Sequence, residues 1–290
     1  MVQRVVIHAD DVGFCHGAIR AFVELSQTGA ITAGSVMVPC PWFTEIAQIA
    51  AADAASDSPT LDVGVHLTLT SEHAGYRWGP VSNPSSTAGL TDSTGNLWPS
   101  VAEVREHADP DAVEIEWRAQ LERALAAGLD VTHLDAHMGA ALAPEWCDRY
   151  VALGAEYQLP TLITSTFAGY GPQNHLRGTS EDEFAAFVDA ARAANMPIVG
   201  TVLETDFGRA RGEAVDYRAV LGSTDDDLVY CAFHPCAPGP GEVEVIEPGA
   251  NHVRTDEYHL FSTDAWLDWL DAQPFERIGM RELRDEMRVA

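Results

Sequence analysis

Two neighbouring carboxylates, Asp10 and Asp11, follow a β-branched run near the start of the chain. The run Val5–Ile7 is typical of a strand buried on both faces, so both acids are expected at its C-terminal end, the edge where parallel α/β folds bind ligands. Adjacent carboxylates repel, and a cation relieves this if one acid ligates it and the other stays free to handle protons. Capping or loop acids also follow strands, so the doublet alone leaves both interpretations open.

Histidines supply the next groups that could do chemistry. His66 lies at the end of a predicted strand, where a histidine is either a buried structural residue or a ligand. His133, Asp135 and His137 share one face of another strand, because side chains alternate along it. Three ionisable groups on one face are costly to bury without a metal or a hydrogen-bonded network, so this cluster favours metal binding or catalysis.

A further polar position, His234, follows the apolar strand Leu228–Phe233. One carboxylate and two imidazoles can hold a divalent ion by one side and leave positions open for water and a substrate carbonyl. The ion lowers the pKa of its water, a free carboxylate takes the proton, and a histidine protonates the leaving group. The clusters therefore predict a mononuclear hydrolytic metal site. A non-haem iron oxygenase would use similar ligands, but that class usually adopts a double-sheet jelly roll.

Alternating strand and helix signals must position these groups, and they recur seven or eight times without an internal repeat or a linker. Because the candidate residues follow many different strands, the pattern favours an α/β fold with a single TIM-like barrel, distorted or seven-stranded, over a doubly wound sheet. We expect residues 1–290 to form one catalytic domain. The predicted strands are Val5–Ile7, Val36–Val38, Leu61–Leu69, Val131–Asp135, Leu159–Ile163, Ile198–Leu203, Leu228–Phe233 and Arg277–Met280.

The stretch from residue 71 to about residue 109 interrupts this alternation. It is rich in Gly, Pro, Ser and Thr and shows no sustained period. Loops of this length in compact domains are usually functional or mobile. Since it leaves the C-terminal end of the third predicted strand, we predict a loop insertion that acts as a substrate lid, with a surface insertion of no function as the alternative.

Composition limits the classes of partner. The 290 residues include 44 acidic and 17 basic ones, a formal net charge of −27 that disfavours nucleic acid and membrane surfaces as partners. All 17 basic residues are arginine, which excludes Schiff-base catalysis by lysine and a Gly-Lys-Ser phosphate-binding loop. No apolar run is long enough to span a bilayer and the first strand leaves no room for a signal peptide, so we expect a cytoplasmic protein.

Four segments together resemble the motifs of a known family. Ala9–Gly13, Gly64–Thr70, the His-Leu-Asp-Ala-His segment that ends at His137, and His234-Pro235 are similar, in order, to those of the YdjC-like, or ChbG/HpnK, carbohydrate deacetylases. The resemblance covers nearly the whole chain. It implies a TIM-like barrel that removes an N-acetyl group from an N-acetylated sugar or oligosaccharide with one divalent cation.

The resemblance also implies roles for individual positions. Asp10 would act as the general base and His234 as the general acid. Three side chains would hold the metal: Asp11, His66 and His137. Two more would lie close to the site, against the ligands or the substrate: His133 and Asp135.

Several alternatives stay open at this point. Two imidazoles favour zinc, manganese, cobalt or nickel, whereas members of the family are commonly described with magnesium, so Mg²⁺ and Zn²⁺ are both considered. Another metal-dependent barrel enzyme acting on sugars, such as an isomerase or a different hydrolase, would release no acetate. A non-catalytic sugar-binding protein would form no product. The expected partner is a small N-acetylated sugar. The sequence leaves open whether the protein forms a homo-oligomer.

Overall fold

The structure is a computed structural model that describes residues 2–85, 88–171, 179–239 and 242–289. The strands are β1 (Arg4–Val12), β2 (Ala33–Val36), β3 (Val63–Leu67), β4 (Val131–Ala136), β5 (Thr201–Glu204), β6 (Leu228–Phe233) and β7 (Glu276–Arg277). The α-helices are α1 (His16–Thr28), α2 (Phe43–Ala54), α3 (Val101–His107), α4 (Pro110–Ala126), α5 (Cys147–Tyr157), α6 (Glu181–Ala193), α7 (Tyr217–Leu221), α8 (Val243–Ile246), α9 (Asn251–Phe261), α10 (Asp264–Asp271) and α11 (Met280–Val289). None of these helices is long and apolar enough to cross a bilayer.

The strands pair in parallel in the order β4-β3-β2-β1-β6-β5, and β7 lies beside the start of β1. Residues 159–165 connect the two ends of this order. On the β4 side, Leu162 N donates to Leu134 O at 2.9 Å; next to β5, Val199 N donates to Ile163 O at 3.0 Å. These bonds link β4 to β5 through an irregular segment, while β7 lies outside the ring. The predicted α/β architecture with a TIM-like barrel is confirmed, in a distorted form.

Several predicted strands differ in their bounds from the observed ones. The predicted strand Arg277–Met280 shares only Arg277 with β7, because Met280 already begins α11. The predicted strand Leu159–Ile163 pairs only through single residues at Thr161 and Thr164. The second strand is β2, at Ala33–Val36, and begins earlier than the predicted Val36–Val38. The first residues of β2 are small and lack the β-branched side chains that predict a strand. Gly34 must be small, because a Cβ there would lie only 2.6 Å from the Phe22 ring of α1.

Helix bounds follow local signals in the sequence. Asp109 caps α4, since its Oδ1 accepts a hydrogen bond from Asp111 N, and Pro110 occupies the first turn. Trp117 and Leu121 then bury one face of α4 against the barrel. The helices cover the outside of the strands, and the apolar layer between them is the main core. Its large side chains include Phe22, Ile46, Trp117, Tyr150, Phe184 and Phe233.

The predicted loop insertion contains a helix in its last part, α3. Ser100 starts this helix by accepting from Glu103 N, a Ser-x-x-Glu capping pattern that is visible in the sequence. The part before α3 is held by Trp78, whose indole N–H donates to Thr70 O at 2.9 Å. The insertion is therefore anchored beside the end of β3, and its role as a lid stays a prediction.

The inside of the barrel is polar. Ser35 of β2 and Tyr230 of β6 both donate to Asp135 of β4, and His8 of β1 contacts His133 of β4 across the ring. Each of these five side chains is at most 1% exposed. Buried polar groups persist only when they are hydrogen-bonded, so this network fixes the positions of the groups at the barrel mouth.

Candidate metal centre

Asp10 and Asp11 reach the same cavity because β1 is bulged at this point. Neighbouring side chains of a regular strand point to opposite faces. The register of β1 with β2 shifts between Ala9 and Val12, and Asp11 adopts a left-handed backbone with φ of 59°. Such a conformation costs about 1–3 kcal/mol in a non-glycine residue and is concentrated at functional sites. The bulge redirects Asp11 so that both carboxylates face one space.

The three predicted metal ligands, Asp11, His66 and His137, converge. Asp11 Oδ1 lies 3.3 Å from His66 Nε2 and 3.0 Å from His137 Nδ1. The candidate ligand atoms of all three lie within 4.8 Å of one another. A tetrahedral site with bonds of about 2.0–2.2 Å holds its ligand atoms about 3.3–3.6 Å apart. The spacing and the donor set therefore fit one divalent cation.

Asp135 orients the first of the two histidines. Its Oδ1 lies 2.9 Å from His66 Nδ1, and its Oδ2 accepts from Ser35 Oγ at 2.8 Å and Tyr230 OH at 3.0 Å. An ionised carboxylate can only accept, so His66 donates from Nδ1 and leaves Nε2 directed at Asp11. Carboxylates that fix a ligand histidine in this way are typical of metal sites. Asp135 therefore lies where the resemblance placed it, next to a candidate ligand.

Glu72 orients the second histidine and was missed in the sequence. Its Oε1 lies 3.0 Å from His137 Nε2, and it also accepts from the Thr70 hydroxyl. Burial opposes charge on the His137 ring, but the carboxylates of Glu72 and Asp11 outweigh burial and raise the pKa of His137 to about 9. Glu72 lies in the aperiodic insertion, where the only signal was its short distance from the predicted third strand.

Arg254 of α9 is the second site residue that the sequence did not reveal. Its Nη1 lies 2.8 Å from Asp11 Oδ2 and its Nε lies 2.6 Å from Glu247 Oε2. The guanidinium packs between the rings of Phe14 and Phe207, 5.2 and 4.9 Å from their centroids. Burial opposes ionisation of Asp11, but Arg254 holds the pKa of that carboxyl well below its usual value. The sequence pattern of the helix does not indicate that the side chain of this arginine is buried at the site.

The predicted general base and general acid face each other. Asp10 Oδ2 lies 3.8 Å from His234 Nε2. Burial raises the pKa of Asp10 to about 7, which suits a proton acceptor near neutral pH. Burial lowers the pKa of His234 to about 4, and its Nδ1 lies 2.9 Å from Thr205 Oγ1. Both groups therefore lie at the same cavity as the candidate ligands.

His133 occupies a different place from the other predicted residues. Its Nε2 lies 2.9 Å from His8 Nε2, and its Nδ1 lies 2.9 Å from Thr132 Oγ1. Within the described ranges it makes no hydrogen bond to the three candidate ligands. It lies beneath Asp10, to which it is joined through His8.

All the groups at the mouth open into one cavity of about 410 Å³. This volume is in the range of small-molecule sites. Its polar lining includes the candidate ligands, Asp10 and His234. Its apolar and aromatic lining includes Leu142, Leu162, Tyr170, Val202, Phe207 and Ala232. The cavity could therefore take a small molecule that has both polar and apolar surfaces.

Comparisons with known proteins identify the family of this chain. A family model described as YdjC-like protein matches residues 4–272. A carbohydrate deacetylase of Thermus thermophilus is 34% identical over 167 residues, 58% of this chain and 56% of that protein. A carbohydrate deacetylase of Brevibacillus brevis is 33% identical over 161 residues, 54% of this chain and 58% of that protein. The chain therefore matches little more than half the length of these curated relatives.

A solved structure from Enterococcus faecalis, named for cellobiose-phosphate cleavage, has the same fold. Its TM-score is 0.76 at 18% identity, over 98% of this chain and 99% of that one. The likeness extends over the complete barrel, and the family model extends over nearly all of the strands and helices. The resemblance found in the four sequence motifs is thereby confirmed, and the chain belongs to the YdjC-like family.

Proposed function

We propose that this protein is a metal-dependent hydrolase that removes the acetyl group from the nitrogen of an N-acetylated sugar or oligosaccharide. The observation that carries the proposal is the convergence of Asp11, His66 and His137 in one cavity with Asp10 and His234 beside them. The names of the Thermus thermophilus and Brevibacillus brevis relatives support a sugar substrate and this reaction.

The residues divide the reaction between them. A divalent cation held by Asp11, His66 and His137 would supply Lewis-acid polarisation and a more acidic water. Asp10 has its Oδ1 occupied by His8, so Oδ2 is the oxygen that accepts the proton of the attacking water. His234 presents Nε2 to the same space and protonates the amine nitrogen as the C–N bond breaks. The products are acetate and the free amino sugar.

The charge of the cavity suits this substrate. Within the described part of its lining, Arg254 is the one arginine, and its guanidinium is paired with Asp11 and Glu247. Further carboxylates line the cavity at Glu72 and Glu204. An acidic lining of this kind favours a neutral sugar and an amine product over a phosphorylated or otherwise anionic sugar.

Acetate release from a panel of N-acetylated sugars tests the proposal. We expect acetate from at least one neutral sugar, loss of release with a chelator, and recovery on adding Mg²⁺ or Zn²⁺. Asp10→Asn should retain the metal and abolish turnover, because the ligands remain and the base is lost. Asp111→Asn at the exposed start of α4 is a matched control that should behave as the wild type.

Other outcomes would identify a different function. His137→Ala should lose both metal and activity, and stoichiometric metal binding by this variant would remove His137 from the ligand set. Conversion of a sugar without acetate release would indicate an isomerase or a different hydrolase. Sugar binding that is unchanged in Asp10→Asn, with no product from either protein, would indicate a non-catalytic binding protein.

A further inference from the structure

Glu204 differs from the other carboxylates that line the cavity. Within the described residues, it makes no hydrogen bond or ion pair to the protein. Each of the other carboxylates in this lining contacts a histidine or the Arg254 guanidinium, and they are Asp10, Asp11, Glu72 and Glu247. A polar group without a protein partner takes its hydrogen bonds from water or from a ligand. In the described lining, Glu204 is therefore the carboxylate that is available to a ligand.

Strand β5 directs Glu204 into the cavity. In the parallel pair of β5 and β6, Val202 lies beside Tyr230 and Glu204 lies beside Ala232. The Tyr230 hydroxyl donates to Asp135 inside the barrel, and side chains two residues apart on a strand share a face, so Val202 and Glu204 also point inward. Ala232 carries only a methyl group. The space beside the Glu204 carboxylate therefore stays open to a ligand.

Glu204 lies on the same side of the site as the proposed general acid. It immediately precedes Thr205, whose Oγ1 lies 2.9 Å from His234 Nδ1. The candidate metal ligands come from β1, β3 and the end of β4, whereas His234 and Glu204 come from the neighbouring strands β6 and β5. In the proposed reaction His234 faces the amine nitrogen of the substrate. The sugar ring bonded to this nitrogen would therefore lie toward β5, next to Glu204.

Apolar groups accompany Glu204 in this part of the lining. Val202 precedes it on β5, and the ring of Phe207 lies 4.8 Å from the ring of His234 at an angle of 74°. A sugar ring has apolar C–H faces and carries hydroxyl groups at its edge. Apolar surface with a few placed polar groups is the usual composition of a small-molecule site. The surroundings of Glu204 therefore match a neutral sugar ring.

We propose that Glu204 is a specificity-determining residue, which accepts a hydrogen bond from a ring hydroxyl of the amino sugar and disfavours an anionic group on the same ring. The proposal deepens the proposed deacetylase function and rests on it, because the position of the ring follows from the role of His234.

Deoxy sugars test the hydrogen bond. The substrate is the neutral sugar of the panel with the highest kcat/KM, and its 3-deoxy, 4-deoxy and 6-deoxy analogues are compared with it. In the wild type, loss of one of these hydroxyls should raise KM about 10- to 100-fold with little change in kcat, the effect of a lost hydrogen bond to a charged group. In Glu204→Ala the same analogue should bind as weakly as the complete sugar.

Coupling between the hydroxyl and the carboxylate is the decisive readout. If each analogue changes KM by the same factor in the wild type and in Glu204→Ala, no ring hydroxyl contacts Glu204 and the proposal is wrong. Glu204 is exposed at the end of β5, so the variant should unfold at the same urea concentration as the wild type.

Glu204→Gln tests the effect of charge. The 6-phosphate of the chosen sugar serves as a competitive inhibitor of acetate release. Its inhibition constant should fall about 2- to 5-fold in Glu204→Gln, because the amide keeps the size of the side chain and removes a like-charge repulsion. An unchanged inhibition constant would refute the discrimination against anionic sugars.

Asp206→Asn is the matched control for this charge effect. Asp206 lies two residues further along the chain, is exposed, and caps the turn through Oδ1, which accepts from Gly208 N at 2.9 Å. It lies outside the described lining of the cavity, and its amide variant loses the same charge. It should leave KM and the inhibition constant as in the wild type. An equal shift in both variants would indicate a general effect of net charge and would contradict the role of Glu204.

Binding separates this proposal from the proposed function. Calorimetry measures the binding of the neutral sugars of the panel to full-length Asp10→Asn, with and without Glu204→Ala. Binding that weakens about 10- to 100-fold with Glu204→Ala, with no acetate from the wild type, would refute the deacetylase function and keep the contact with the sugar. Acetate release with the same KM in the wild type and Glu204→Ala would keep the function and refute the contact. Absence of both sugar binding and acetate release would refute both.

Discussion

Arg254 Nη1 lies 2.8 Å from Asp11 Oδ2, the oxygen that Asp11 does not share with His66 and His137. Arg254 is 5% exposed, and its Nε lies 2.6 Å from Glu247 Oε2. The proposed metal ligand therefore has a buried cationic partner that is independent of the ion. This pairing keeps Asp11 ionised and ready to ligate, because Arg254 holds its pKa low against the effect of burial.

Arg254→Met should destabilise the protein, because it leaves the buried carboxylate of Asp11 and the partly buried one of Glu247 without their partner. Breaking a buried ion pair on one side typically costs about 3–5 kcal/mol. Urea unfolding without added metal should show a loss of free energy of unfolding of this size. Added Zn²⁺ should recover part of it, since the cation takes over the charge compensation of Asp11.

A surface arginine provides the matched control for that variant. Arg149 pairs with Asp111 and Glu114 at 2.7 Å, but its surroundings are exposed to solvent. Arg149→Met should change the free energy of unfolding far less and should show no extra response to Zn²⁺. Similar losses in both variants would contradict the special role of Arg254.

Metal binding should release protons. Burial disfavours charge on His137, but Glu72 and Asp11 outweigh it and raise its pKa to about 9, so the metal-free ring is protonated at pH 7. A ligating imidazole must be neutral, and binding therefore displaces a proton. Affinity should fall as the pH is lowered below about 9. Calorimetric titration with Zn²⁺ at pH 7, in two buffers of different ionisation enthalpy, measures the release, and equal heats in both buffers would refute it.

Glu72→Ala should weaken metal binding. The side chain fixes the His137 ring through Nε2, so that Nδ1 faces Asp11. Loss of such an orienting carboxylate typically reduces metal affinity or activity about 10- to 100-fold. Competition with a chelator measures the change in Kd. Glu106→Ala on the same insertion is a control, because that side chain is exposed on α3, and an equal effect there would indicate a general disturbance of the insertion.

The parts of this site that could be predicted share one property. Asp11, His66 and His137 follow strands with clear apolar patterns, and parallel strands end at the same edge, so their meeting could be inferred. Glu72 and Arg254 come from the aperiodic insertion and from a late helix, where no pattern indicates which side chains turn inward. The bulge that gives Asp11 its left-handed backbone is also invisible, since a bulge depends on pairing between strands.

The same reason explains the differences in the barrel. Ser35 binds Asp135 from β2, a strand whose small residues give little β signal. Its second contact, 3.0 Å to His66 Nδ1, also comes only from tertiary packing. Residues 159–165 complete the ring through isolated pairs, so their pattern is weaker than that of a full strand. Local sequence predicts elements and their order, whereas these contacts depend on closure of the whole ring.

Thr205→Val should impair the proposed general acid. Thr205 Oγ1 lies 2.9 Å from His234 Nδ1 and 2.6 Å from Glu257 Oε1. A neutral His234 can donate from Nε2 only if Nδ1 accepts, so Thr205 must donate to it and Glu257 must supply a proton to Thr205. Burial raises the pKa of Glu257 to about 7, so this carboxyl holds the required proton below that pH.

The variant keeps the size of the side chain and removes the link between Glu257 and His234. We expect kcat for acetate release to fall about 10- to 100-fold with little change in KM, because the effect is on proton donation. In the wild type, ionisation of Asp10 should raise kcat and ionisation of Glu257 should lower it as the pH rises through about 7, which gives a bell-shaped profile. Thr205→Val should lose the declining limb of this profile. Thr161→Val is the control. The Thr161 hydroxyl lies 3.1 Å from Met196 Sδ and outside the described lining of the cavity, so this variant should keep both kcat and its pH profile. A wild-type pH profile in Thr205→Val would exclude the link from Glu257 to His234.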